Sequence, residues 1–183
     1  MRVFIALPLP PQTASELEPL LVALKNSFPA LTTVKSRSLH FTLFFLGERT
    51  PAEVQKLSQL LKDFPLKTKA IKTSLAERLG SFPEKGRFRV IWCGLKEGAE
   101  AITSLYLHLR SLLTEAKISL EHAEKDFKPH LTLARNKGSY GDTTALQNFR
   151  VTAKEFYLER LVLFQSILKP TGAEYKPLAE RLL

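Results

Sequence analysis

His40-Phe41-Thr42-Leu43 and His130-Leu131-Thr132-Leu133 are two copies of one short pattern, one in each half of a 183-residue chain. The chain holds four histidines and 14 threonines. A randomly placed histidine would meet a threonine two positions on about 8% of the time, and two such hits among four would arise in roughly 3% of shuffles. Both copies sit in runs that read as β-strands. Side chains alternate across a strand, so residues i and i+2 share a face. His40 and Thr42 therefore point one way, and Phe41, Leu43 and Phe45 the other. In the second copy His130 and Thr132 share a face opposite Leu131 and Leu133. Each strand has an apolar face for helices and a face with one imidazole and one hydroxyl. Two such faces brought together would make a cleft.

Working outward, Arg2 to Leu7 is β-branched and aromatic and ends at prolines, a strand. Pro11 to Asn26 carries Leu17, Leu20, Leu21 and Leu24 at helical spacing. Ser38 to Leu46 is the first motif strand, closed by Gly47. Pro51 to Asp63 predicts a helix with Thr50 as cap and Glu53 at its third position. Leu66 to Leu75 is expected as a strand, and Arg78 to Gly86, with Gly80, Pro83 and Gly86, as a loop. Arg87 to Leu95 reads as a strand, Glu97 to Ala116 as the longest helix, and Pro129 to Ala134 as the second motif strand. Asn136 to Asp142 is turn-rich, and Asp142 can cap a short helix through Gln147. Val151 to Phe156, Glu159 to Leu168 and a segment near Tyr175 are further strands, with the turn Lys169-Pro170-Thr171-Gly172 before the last. The order helix, motif strand, helix occurs twice. The expected fold is α+β: two pseudo-symmetric lobes, each an antiparallel sheet with outer helices, flanking a central groove. Residues 1–183 are expected to form a single two-lobed domain.

Hydrophobic residues make up 44% and charged residues 25%, which suits a globular chain. The net charge is +9, from 27 Lys and Arg against 18 Asp and Glu. Such a surface attracts polyanions, nucleic acid above all. One cysteine, Cys93, excludes an intrachain disulfide and fits a reducing compartment. It lies in the apolar run Val90-Ile91-Trp92-Cys93 and reads as a buried, inert thiol; Trp92 reads as core. The apolar N-terminus is stopped by Pro8, Pro10 and Pro11 before it reaches signal or membrane length. A cytoplasmic monomer is the expectation, with no membrane association.

Two imidazoles and two hydroxyls suit a phosphodiester. Opening a cyclic phosphate needs a base to take a proton from water and an acid to protonate the departing ribose oxygen. Histidine titrates near neutrality, so one neutral and one charged copy can coexist. Threonine hydroxyls can donate to the non-bridging oxygens. A single strand histidine followed by threonine is more often structural than catalytic, and the repetition reverses those odds. A catalytic zinc site usually takes three ligands, often with a carboxylate or cysteine. Neither motif carries one nearby, so a metal ranks below acid–base use and no cofactor is expected. His108, mid-helix, reads as a surface or half-buried residue, and His122, flanked by acids, as a solvated one.

At these residues the chain resembles the two-histidine (2H) phosphoesterase superfamily, and within it the RNA 2′,3′-cyclic phosphodiesterase (2′-5′ RNA ligase) family. The resemblance runs through Arg2-Val3-Phe4-Ile5-Ala6-Leu7, the block His40 to Glu48, Val90 to Leu95, Pro129 to Arg135, and the tail Leu161 to Tyr175. Gln165-Ser166 stands where that family usually has Glu-Ser. The resemblance implies a two-lobed fold with a basic groove and metal-free hydrolysis of a terminal 2′,3′-cyclic phosphate to a 2′-phosphomonoester. Weaker reverse 2′-5′ ligation is implied too. By analogy His40 is the proton donor and His130 the acceptor, while Thr42, Thr132 and Arg135 hold the phosphate. Strict alternation turns Arg135 away from His130, so that role requires the strand to end or bulge near Ala134.

The expected partner is an RNA end bearing a 2′,3′-cyclic phosphate. Phe44, on the face of His40 and Thr42 by alternation, is a candidate floor for the groove or a base-stacking ring. Lys35, Arg37, Arg87 and Lys128, with Lys85, Lys125 and Lys137, are candidates for its basic rim, giving backbone contacts with little sequence reading. The alternatives are a non-catalytic RNA-end binder, and a phosphodiesterase acting on small cyclic nucleotides or an ADP-ribose cyclic phosphate.

Overall fold

The computed structural model describes residues 1–65, 69–84, 87–120, 127–136, 143–169 and 172–183. In chain order its elements are β1 (Arg2–Pro8), α1 (Pro11–Glu16), α2 (Glu18–Ser27), β2 (Leu31–Thr33), β3 (His40–Glu48) and α3 (Pro51–Lys62). They continue with β4 (Ile71–Phe82), β5 (Val90–Glu97), α4 (Ala99–Glu115), β6 (Leu131–Asn136), β7 (Phe156–Leu158), β8 (Arg160–Lys169) and β9 (Gly172–Leu182). All described strand pairs are antiparallel, in the order β7-β4-β5-β6-β3-β1-β8-β9, with β2 on β6.

That order falls into two four-stranded halves with the motif strands innermost. They meet, among the described residues, at the single ladder pair Phe41↔Leu131. Each of these is the middle residue of its His-x-Thr, and both are fully buried. The α+β expectation of two antiparallel lobes matches this architecture. The echo is incomplete in one respect: β6 is followed by a 3-10 turn over Thr143–Asn148, not an α-helix.

Several boundaries move for physical reasons. The helix expected over Pro11 to Asn26 is two helices, because Pro19 has no N–H to donate and its ring clashes with the preceding turn. The break falls at Leu17, whose carbonyl accepts from Leu21 N at 3.1 Å. The α3 helix starts as expected: Thr50 and Glu53 form a reciprocal capping box, with Pro51 in the first turn.

The loop expected over Arg78 to Gly86 is strand as far as Phe82. Gly80 is there for space rather than for a turn. A Cβ on it would meet Cζ2 of Trp92 at 2.4 Å, so the indole lies flat across the glycine. Residues 66–68 of the strand expected over Leu66 to Leu75 lie outside the described residues, and regular pairing starts at Ile71. The strand expected from Val151 is confined to Phe156–Leu158. Residues 137–142, including the Asp142 cap, and the turn residues 170–171 are likewise outside the description.

The helices cover one side of the sheet and bury its apolar face. Phe44 stacks on Tyr106 of α4 at 4.5 Å, and Tyr106 on Phe127 at 4.0 Å. Cys93 is buried there; its thiol donates to the Ala76 carbonyl, and burial pushes its pKa up to about 12. Among the described residues no helix is long and apolar enough to cross a membrane.

Candidate active site

The seam between β3 and β6 positions the two histidines. Antiparallel pairing about Phe41↔Leu131 sets His40 across from Thr132 and Thr42 across from His130. The site is thus a crossed set, each imidazole beside the hydroxyl of the other motif. His40 is the first residue of β3, and His130 immediately precedes β6.

Both rings are held the same way. Nδ1 of His40 lies 2.7 Å from the Ser38 carbonyl, and Nδ1 of His130 lies 2.8 Å from the Lys128 carbonyl, in each case two residues upstream. A carbonyl only accepts, so Nδ1 is the donor in both contacts. Nε2 remains to take or give a proton.

The surroundings of the two rings differ. His40 is half-buried among Phe4 at 5.0 Å, Tyr175 at 5.2 Å and Phe164 at 6.3 Å. Desolvation, above all, lowers its pKa from 6.5 to about 4, with the charges of Arg135 and His130 acting in the same direction and the Ser38 carbonyl opposing them. His130 meets the edges of Phe82 at 5.4 Å and Trp92 at 6.0 Å. Trp92 is half-buried on this face, stacked on Phe82, so the core assignment made from its apolar neighbours is corrected.

A pair of bulges completes the site. Along β3 the ladder to β1 skips Leu43, since Ile5 pairs with Phe44 and Ala6 with Thr42. Along β6 the ladder to β5 skips Leu133, since Ile91 pairs with Ala134 and Trp92 with Thr132. An extra residue reverses the facing of everything after it. Residues 41–46 and 131–136 consequently show the same succession of burial: buried, half-buried, buried, buried, exposed, buried.

Two expectations are settled by this. Arg135 turns to the face of Thr132, where its charge acts on both His40 and Tyr175. Phe44, expected on the face of His40, is turned into the core and fully buried. Its neighbour Phe45, expected inward, is the exposed ring instead, 6.1 Å from Phe4.

Of the basic candidates, Lys35 and Arg37 line a cavity of about 210 Å³ that also contacts His40, Phe164, Glu174 and Tyr175. Lys128 contributes its carbonyl to His130, and its side chain is exposed. Arg87 is exposed and precedes Val90, the partner of Arg135, so it lies toward the end of β6 away from His130. Lys85, Lys125, Lys137 and His122 lie outside the described residues. His108 is exposed on α4 beside Phe64. Among the described residues no three His, Cys, Asp or Glu side chains converge.

Sequence reasoning did not single out Phe4, Phe164, Glu174 and Tyr175. They converge on His40 only through cross-strand register, Phe4 with Phe164 and Ser166 with Tyr175. The one sequence signal for them was the resemblance of the first strand and the tail to the family's pattern.

Comparison with known proteins gives a family and several relatives of similar length. A model described as the 2′-5′ RNA ligase superfamily matches residues 10–168. The chain is 32% identical over 182 residues to a protein of Archaeoglobus fulgidus named RNA 2′,3′-cyclic phosphodiesterase, covering 97% of this chain and 98% of that one. It is 29% identical over 186 residues to the Thermotoga maritima protein of the same name, covering 98% and 94%. The crystal structure of a Thermus thermophilus protein superposes with a TM-score of 0.84 at 29% identity, covering 100% of this chain and 98% of that one. Escherichia coli LigT complexed with 3′-AMP shares the fold with a TM-score of 0.73 at 23% identity, covering 100% and 96%.

Proposed function

The chain belongs to the 2′-5′ RNA ligase superfamily, and we propose that it hydrolyses the 2′,3′-cyclic phosphate of an RNA end to a 2′-phosphomonoester without a metal. The observation that carries this reading is the matched pair of imidazoles, each fixed at Nδ1 by a backbone carbonyl. Each therefore presents Nε2 beside the other motif's threonine. The name of the Archaeoglobus fulgidus relative supports the same substrate class.

In the proposed reaction, Nε2 of His130 takes a proton from water and the water oxygen bonds to phosphorus. The bond from phosphorus to O3′ breaks, and Nε2–H of His40 delivers its proton to O3′. The hydroxyls of Thr42 and Thr132 and the guanidinium of Arg135 donate to the non-bridging oxygens as charge gathers there. His40 is held neutral near pH 7 in the free protein by its lowered pKa. The anionic phosphate supplies the opposite charge that restores its proton. With the 5′-hydroxyl of a second strand in place of water, His130 takes that hydroxyl's proton and O5′ bonds to phosphorus. The bond from phosphorus to O3′ breaks and His40 protonates O3′, giving weak 2′-5′ ligation; cleavage of that linkage is the reverse, with the two histidines exchanging roles.

The test is an oligonucleotide ending in a 2′,3′-cyclic phosphate, incubated with a chelator, its product isomer identified by phosphorus NMR. A 2′-phosphate is expected, with a bell-shaped pH profile. His40→Ala and His130→Ala are each expected to lower turnover by about 10²–10⁴-fold. Near-normal turnover in either variant excludes the paired role. Binding without turnover in the unaltered protein would make it an RNA-end binder, and loss of activity to the chelator would make it a metal hydrolase.

A further inference from the structure

Among the described residues, the His40 flank of the histidine pair opens into a cavity bearing both signs of charge. Its volume is about 210 Å³, and Phe164 and Tyr175 give it an aromatic wall. Lys35 and Arg37 bring cations, and Glu174 brings the single carboxylate of the lining. All three line the same cavity; the hydrogen bond from Lys169 holds the pKa of Glu174 below the usual carboxylate range, and the charges of Lys35 and Arg37 act in the same direction. Oε2 of Glu174 accepts from Lys169 at 2.6 Å, which steadies the carboxylate from outside the cavity.

A wall of rings, a carboxylate acceptor and two cationic donors are the groups that take a nucleobase by its face and edge. We propose that this cavity seats the base of the nucleotide carrying the cyclic phosphate and selects guanine there. The inference rests on the phosphodiesterase reading above. Glu174 can only accept, so it suits an edge with two adjacent donors, as at N1–H and N2–H₂ of guanine. The O6 and N7 acceptors of the same base match arginine and lysine. Uracil presents a single N3–H between two carbonyl oxygens, which the carboxylate repels. A base held here brings its ribose in beside His40, the side from which O3′ must be protonated. Selection is confined to the terminal base, and the rest of the strand is held through its phosphates.

The experiment compares guanosine and uridine 2′,3′-cyclic monophosphates as substrates, and the matching 2′-monophosphates as ligands followed by NMR. The protein is used unaltered, as Glu174→Gln and as Lys35→Ala. The expected result is a KM about tenfold lower for guanosine, with a similar difference in Kd. Both differences should shrink to within twofold in Glu174→Gln, with kcat little changed. Lys35→Ala should weaken guanosine binding more than uridine binding, because only guanosine also loses a donor to O6 or N7. Equal KM and Kd for the two bases, with turnover intact, would overturn the base pocket and leave the phosphodiesterase reading standing. Selective binding without turnover of either compound would overturn that reading and keep the pocket. Neither turnover nor selectivity would overturn both.

Discussion

His40 carries the largest electrostatic consequence of any single residue in the site. Its ring is desolvated among Phe4, Phe164 and Tyr175, and its pKa in the free protein is about 4 against 6.5 in a flexible chain. A proton NMR titration should therefore find its midpoint near 4 in the free protein, and higher once inorganic phosphate is bound. A midpoint at 6.5 in the free protein would contradict the desolvated setting. The sign for stability follows from linkage. Between pH 6.5 and 4 the unfolded chain binds a proton at this position that the folded one does not. Stability is therefore lost as pH falls through that window, by on the order of 3 kcal/mol. His40→Asn should flatten that acid limb in urea melts taken across the window. The histidines and threonines themselves were legible, because a repeated i, i+2 pattern carries its own geometry. The partners of His40 were not, since Phe4, Phe164 and Tyr175 come from three strands whose register no local pattern encodes.

The bulges decide what the motif strands present. Without the extra residues at Leu43 and Leu133, Arg135 would sit in the core and Phe44 in the groove. Neither bulge contains a glycine or proline, so nothing in the local chemistry announced it; only the arginine on the wrong face hinted at the second. The helix caps were the opposite case, with Thr50, Pro51 and Glu53 spelling out the start of α3. Gly80 shows how one residue type serves two ends, since a glycine that punctuates loops is here a seat for an indole. Gly80→Ala should drive its Cβ into the Trp92 ring and destabilise the fold by about 1–3 kcal/mol. Trp92 is the only tryptophan, so its emission should shift in the same variant. Unchanged emission with unchanged urea midpoint would mean the strand yields without moving the ring.

Across the whole molecule, the excess of nine positive charges bears on how RNA is held. Affinity drawn from phosphate contacts falls with salt, with a slope of about −0.7 per neutralised phosphate on a single strand. With about three such contacts, binding of a short single strand should weaken at least tenfold between 50 and 200 mM salt. Fluorescence anisotropy would measure this, and a flat salt response would remove the basic rim from the account. Lys35, Arg37 and Arg135 border the site in the structure. Arg87 lies off to one side, which net charge could never have revealed, because composition counts charges without locating them.

Among the described residues the halves of the sheet share one rung, and both imidazoles flank it. Points on an axle do not travel when the wheel turns. Any rocking of one half against the other would pivot about that rung and spread the outer margins of the groove most. The spacing between the two rings would change least, so a bulky strand could be admitted while the proton-handling pair kept its alignment.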